Sequence, residues 1–301
     1  MSVKFENLSF RKLKISDYHE FRKLFYSCFK KRISFEFYKW RYFSDKFSFC
    51  YGAFEKYKLI ANVGMVSIPK SKNSNDIIYS RHSSMVLKKY RGIGIFSKLL
   101  KLVKNKYLNK IPMVFMWPNK NNFSNFDISK KNILKKKYFL YKSYKIPNVK
   151  KKISNYSINQ LITYKKFIRN EKNIFFKDFS YFKKRYLLYM KNEYFLNKFV
   201  IRNQTSFFII KRNKDKSGIN NVILDHFGSK KIYTEHLSNL IQNLDKLIFL
   251  SKTRKNNSKY ELINSLNVKI GFMKKANMKK KYDLLKNNEI YLGDTDIFIT
   301  T

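Results

Sequence analysis

The stretch IIYSRHSSMVLKKYRGIGIFSKLLKLV, residues 77–103, constrains the fold more than any other. A run rich in apolar and β-branched residues ends at Leu87. Two glycines, Gly92 and Gly94, follow one residue apart. Then Ile95, Phe96, Leu99, Leu100 and Val103 recur at helical spacing. The chain has only eight glycines in 301 residues, so a close pair marks backbone that must bend where side chains would obstruct it. The pattern reads as strand, tight turn, helix. The first N–H groups of a helix have no partner inside it, and together with the helix dipole they favour an anion. Glycine lets a ligand approach the main chain and lets the loop curl its N–H groups around it. The stretch is not a P-loop, because G-x-x-x-x-G-K-[ST] is missing. Nor is it the dinucleotide motif G-x-G-x-x-G, because Ser97 holds the third glycine's place.

Around this junction the first half alternates between strand and helix patterns. LSFRKL (8–13) reads as a strand, and SDYHEFRKLFYSCF as a helix capped at Ser16 or Asp17. FCYGAFE (49–55) and KLIANVGMVSI (58–68) read as strands joined at Lys56 and Tyr57, and DIIYSRHSSMVL (76–87) as another. MVFMW (113–117) is a short strand stopped by Pro118, NNFSNFDISKKNIL a helix, and KYFLYKSY (137–144) a closing strand. The expected fold class is α/β, with mixed strands and helices. The expected division is a first domain over 1–146, a polar linker over 147–165 and a second α/β domain over 166–301. In that second half KFVIRN, TSFFIIKR, NNVILDHF, LIFLSK and MKKKYDLL read as strands and YTEHLSNLIQNLDK as a helix. EFYKWRY (36–42) is echoed by SYFKKRY (180–186), which hints at an internal repeat with packing roles.

Composition limits the function classes. With 44% hydrophobic residues and 18% aromatics, the chain can build real cores. No run approaches the roughly 20 apolar residues of a spanning helix. The opening MSVKFENLSFRKLKISD has no apolar core of a signal peptide. Cys28 and Cys50 are the only cysteines, too few for a disulfide framework. A cytoplasmic location is therefore expected, with no metal. His19, His226 and His236 show no metal-ligand spacing. The net charge of +45 attracts polyanions. Lysine runs occur along the whole chain, at 135–137, 150–152 and 279–281, so the excess reads as composition before it reads as a dedicated patch. Asp294 and Asp296 read as local neutralisers of lysine.

VLKKYRGIGIFSKLL resembles motif A of the GNAT acyltransferase superfamily, R/Q-x-x-G-x-G/A after the fourth strand. Arg91, Gly92 and Gly94 match it, and Phe96 departs from the usual small residue. FEFYKWRY, FMWPNKNNFSNF and the late YLGDTDIF resemble the GNAT subset associated with bacterial surface-polysaccharide biosynthesis. The resemblance covers 8–144 well and 170–301 loosely. It implies tandem GNAT domains, the second degenerate and without its own coenzyme loop. It also implies that backbone N–H groups of Gly92, Ile93, Gly94, Ile95 and Phe96 hold the pyrophosphate of acetyl-CoA, beside Arg91. The main chain at Val86 and Leu87 would pair with the pantetheine arm, and Asn119 would sit where the two central strands part. Lys88, Lys89 and Lys98 are near enough in sequence to meet the outer phosphate.

Acyl transfer to an amine needs a base, a donor for the oxyanion and a proton for the departing thiolate. His82 is the candidate base, with Glu36 and Asp127 behind it. His82 lies four residues before Val86, which on a regular strand puts both on one face. The tyrosine that GNAT proteins often use as acid is absent, since Phe126 and Asp127 fall about where it should be. Tyr138 or Tyr141 would be substitutes. The expected acceptor is a small-molecule amino sugar, nucleotide- or lipid-linked. Peripheral contact with an anionic membrane surface and nucleic-acid binding are secondary expectations. The alternatives are a protein or peptidyl amine as acceptor, or a non-catalytic polyanion-binding protein on a GNAT scaffold.

Overall fold

The computed structural model describes residues 7–68, 78–108, 113–116, 133–144, 154–169, 179–189, 193–215, 218–251, 255 and 260–272. The chain divides into two compact units. The first runs to Lys135 and takes in a late segment that begins at Lys269; the second runs from Lys136 to Val268.

The first unit comprises β1 (Leu8–Lys12), α1 (Tyr18–Phe29), α2 (Phe35–Phe43), β2 (Phe49–Glu55), β3 (Lys58–Ile68), β4 (Ile78–Val86), α3 (Ile95–Val103) and β5 (Met113–Met116). Strands β1 to β4 pair antiparallel in sequence order. Strand β5 runs parallel to β4, which requires a crossover, and α3 lies in that crossover. Lys269–Phe272 pairs antiparallel with β5.

Alternation sorts the sheet's residues onto two faces. Phe49, Tyr51 and Ala53 of β2 and Ala61, Val63 and Met65 of β3 pack with Ile95, Leu99 and Val103 of α3. Those three α3 residues sit four apart, the spacing of one helix stripe. The opposite face carries Cys50, Asn62 and Gly64, with α1 and α2 packed there. Phe21 meets the rings of Tyr38 and Tyr42, and a Cβ on Gly64 would lie 2.6 Å from Cε1 of Tyr42. Helix α2 is capped by Ser34, whose Oγ accepts from the Phe37 N–H at 3.1 Å.

The second unit holds β6 (Ile133–Tyr144, from residue 136), β7 (Ser154–Ser157), α4 (Lys165–Arg169), α5 (Phe179–Phe182), β8 (Tyr194–Ile201), β9 (Gln204–Asp215), β10 (Gly218–Gly228), α6 (Tyr233–Asn243), β11 (Lys246–Ser251) and most of β12 (Tyr260–Phe272). Strands β7 to β10 pair antiparallel in order. Strand β11 is parallel to β10, with α6 between them in sequence, and β6 is antiparallel to β11. The core under α6 includes Phe208, Ile210, Ile223, Leu240, Leu247 and Phe249.

The division differs from the linear one expected. Residues 137–144 were expected to close the first domain, yet they pair with β11 in the second unit. The expected linker 147–165 is also partly structured. Ser154–Ser157 pairs with β8, and the helical turn after it buries Ile158 and Leu161. Two apolar residues in a polar stretch suffice to dock it, and composition does not signal so small an anchor. The helix expected at NNFSNFDISKKNIL lies outside the described residues except for its last two, Ile133 and Leu134, which open β6 instead, and the strand expected at MKKKYDLL lies wholly outside them.

The repeat has structural support. The two aromatic segments are both helical, and both precede a meander of strands. Each buries an arginine and a tyrosine in matching places, Arg41 with Tyr42 and Arg185 with Tyr186. Tyr42 reaches Ser83 on β4, and Tyr186 reaches Asp225 on β10. Glu36 and Ser180, Gly64 and Phe208, and His82 and His226 are each 144 residues apart. His82 pairs opposite Gly64, as His226 pairs opposite Phe208. The same meander, crossover helix and parallel strand have been built twice.

Candidate coenzyme site

The end of β4, the loop after it and the start of α3 form the site. The loop is fastened at its base by the Tyr90 hydroxyl, which donates to Glu55 Oε2 at 2.5 Å. Arg91 folds back, its Nε donating to the Val86 carbonyl at 3.0 Å. Residues 91–94 are exposed. Gly92 and Gly94 have φ of 84° and 83°, the left-handed region that costs other residues about 1–2 kcal/mol. A Cβ built on Gly92 would meet nothing within 4 Å, so backbone conformation demands glycine there and packing does not.

Gly94 is the N-cap of α3 and offers no side chain to its N–H groups. The Lys98 N–H bonds the Gly94 carbonyl at 3.0 Å, so the N–H groups of Ile95, Phe96 and Ser97 precede the first intrahelical bond. The Ile95 side chain is buried in the core, and Phe96 packs against its edge. Residues 87–97 include Lys88, Lys89 and Arg91 and no acid. Lys89 lies over the Tyr90 ring at 4.5 Å, and its pKa is raised by its hydrogen bond to Tyr90. Lys98 lies over the Phe10 ring at 5.1 Å. Lys88 is exposed. An uncapped helix start, open backbone and a positive surround fit a pyrophosphate.

Strand β4 is irregular where the chemistry would fall. Its pairing with β5 covers Ile78 to Arg81 among the described residues. Opposite β3, His82 faces Gly64 and Met85 faces Asn62, so Ser83 and Ser84 both oppose Val63. This is a β-bulge, with Ser83 at φ 45°. The extra residue resets the alternation. His82 shares its face with Met85, toward α1 and α2, and Val86 falls on the α3 face. The expected common face of His82 and Val86 is therefore corrected: the spacing of four held, but the strand between them was not regular. His82 is 8% exposed.

Leu87 needs a further correction. Its N–H donates to the Ile60 carbonyl on β3 at 2.9 Å and its carbonyl accepts from the Tyr90 N–H at 2.9 Å, so both main-chain groups are already engaged. Val86, one residue earlier, directs its N–H the other way by alternation. Its carbonyl accepts from Arg91 and from Cys28 Sγ at 3.6 Å. Burial raises the Cys28 pKa, against an opposing pull from Arg91.

Glu36 is exposed in the first turn of α2. Tyr138 and Tyr141 are buried in β6 of the second unit. Tyr141 lies against Phe249, and its hydroxyl accepts from the Lys255 N–H at 2.6 Å. Asn119, Phe126, Asp127, Asp294 and Asp296 lie outside the described residues. Among the described residues no group of three or more His, Cys, Asp or Glu is placed to hold a metal, and no helix is long and apolar enough to cross a membrane. Sequence reasoning missed Tyr42 and Asn62, which hold the bulge; nothing in the spacing of either residue marks it.

No protein-family model matches the sequence, and no curated protein matches it. Solved structures do. A GCN5-related N-acetyltransferase from Anabaena variabilis superposes with a TM-score of 0.63 at 10% identity, covering 89% of this chain and 73% of that one. A conserved protein from Enterococcus faecalis, described as a probable N-acyltransferase, gives 0.63 at 9% identity, with coverage of 89% and 72%. A GCN5-related N-acetyltransferase from Kribbella flavida gives 0.56 at 7% identity, with 88% and 72%. The chain has the GCN5-related N-acetyltransferase fold, and the mixed α/β units agree with a tandem arrangement of it.

Proposed function

We propose that this chain is an acetyl-CoA-dependent N-acyltransferase whose first unit binds the coenzyme. The observation that carries the reading is the exposed, acid-free loop Arg91–Gly94 running into an uncapped helix. The neighbours at 7–10% identity support the fold, and the loop's geometry supports the activity. Backbone N–H groups of residues 92–96 would hold the pyrophosphate, and Val86 would offer its main chain to the pantetheine arm. Acetyl-CoA supplies the activated acyl group. His82, the one imidazole on β4, is assigned to take the proton of the attacking amine. His82→Gln should keep coenzyme binding and lose turnover; retained turnover would remove His82 from the role.

An amino sugar, nucleotide- or lipid-linked, is the proposed acceptor. It rests on the resemblance of the aromatic segment and the Pro118–Asn119 stretch to glycan-pathway relatives. The test of the coenzyme reading is thermal unfolding at fixed salt with acetyl-CoA, CoA and ATP. Saturating acetyl-CoA should raise stability by roughly RT ln(1+[L]/Kd), a few kcal/mol. An equal shift with ATP or any polyanion would point instead to the basic surface, with a steep dependence on salt.

A further inference from the structure

We infer that Tyr42 and Asn62 are positioning residues that hold the β4 bulge in register with the acyl group of the bound thioester. The inference rests on the coenzyme reading above. Ser83 is a serine at φ 45° inside a strand, a conformation that persists only where the surroundings enforce it. Three residues from two other elements supply that enforcement. From α2, the Tyr42 hydroxyl bonds Ser83 Oγ at 2.5 Å. From β3, Asn62 Nδ2 donates to the Ser83 carbonyl at 3.0 Å. The carbonyl that the bulge turns out of the ladder thus has a partner. Also from β3, Gly64 leaves the space that the Tyr42 ring occupies, since a Cβ there would stand 2.6 Å from Cε1 of Tyr42 and 3.1 Å from the His82 carbonyl.

Both clamping side chains are buried, at 1% and 0% exposure, and Ser83 is half-buried. The clamp lies between His82 and Val86, the proposed base and the proposed pantetheine partner. A bulge turns main-chain N–H groups out of the ladder, and a preorganised N–H near a thioester carbonyl stabilises the oxyanion that forms there. The clamp fixes the direction of that N–H without touching the substrate.

The experiment compares the affinities of acetyl-CoA and CoA by calorimetry for the wild type, Tyr42→Phe, Ser83→Ala and the double variant. Tyr42→Phe keeps the ring and removes only the hydroxyl, so the packing around Gly64 is preserved. The wild type should prefer acetyl-CoA over CoA by about fivefold, the worth of one hydrogen bond to the acyl carbonyl. Each single variant should bind CoA as before and lose most of that preference. The double variant should lose no more than either single, because both remove one bond. Asn62→Ala should show the same loss from the other side of the bulge. Variants that melt earlier yet keep the full preference would make the clamp merely structural and overturn the inference. A wild type that binds neither ligand would overturn the coenzyme reading, and this inference with it.

Discussion

Gly92→Glu is expected to abolish the stabilisation that acetyl-CoA gives the wild-type protein. At a ligand concentration about 100 times Kd, that stabilisation is roughly 2.7 kcal/mol, and the variant should show almost none of it. The substitution acts twice. Its carboxylate sits beside the N–H groups at the start of α3 and takes the place of the anion they would bind. It also repels the pyrophosphate directly. The fold should survive, because a Cβ at this exposed position meets nothing within 4 Å, and the φ of 84° costs about 1–2 kcal/mol. Gly92→Asn is the control, since asparagine tolerates left-handed backbone and carries no charge. It should retain most of the shift. Thermal melts of the three proteins with and without acetyl-CoA decide the matter. An undiminished shift in the glutamate variant would place the coenzyme elsewhere.

The parts of this fold that were legible in the sequence are those written in local periodicity. Strand β3 is observed over Lys58–Ile68, the bounds its apolar run suggested. Helix α3 begins at Ile95, where the glycine pair ends. The signal is strong because glycine is scarce and the buried stripe Ile95, Leu99, Val103 has one helical spacing. Partners distant in sequence were not legible. Residues 137–144 read as a strand, yet nothing in them names β11, about a hundred residues later, as the neighbour. The bulge was also hidden. A single extra residue leaves no compositional mark, and Ser83 takes a backbone angle for which glycine would be the expected signal. That one residue changed the face assigned to His82. The clamp on the bulge joins Tyr42, Asn62 and Ser83 from three elements, so only the folded chain shows it.

His226 and His236, scattered in the sequence, meet in the second unit. Ser206 Oγ lies 2.8 Å from Nε2 of His226 and 2.8 Å from Nδ1 of His236. His236 Nε2 lies 2.6 Å from Asn197 Oδ1, and Asn197 Nδ2 is turned to Asn155. The amide oxygen can only accept, so His236 carries its proton on Nε2. Its Nδ1 then accepts from the Ser206 hydroxyl, and Ser206 accepts from His226 Nε2–H. The chain runs one way, and every member is buried. The His236 ring is enclosed by Phe199 and Phe208. A second proton on His236 would meet the serine hydrogen head-on in this apolar surround. Burial, with His226 adding to it, lowers the His236 pKa from 6.5 to about 3. The unfolded chain therefore binds this proton more readily than the native one, and stability contributed by neutral His236 is lost as pH falls from 6.5 toward 3. The expected loss is about 2 kcal/mol between pH 7 and pH 5, and about 3 kcal/mol by pH 4. His236→Gln keeps a donor for Asn197 and cannot titrate. It should be less stable than the wild type at neutral pH, and its stability should fall less steeply in acid. Urea unfolding of both proteins across this range isolates the histidine, because carboxylates titrate alike in the two. Parallel pH dependences would mean that His236 accepts its proton in the native state without penalty, and that the directed chain reorders to admit it.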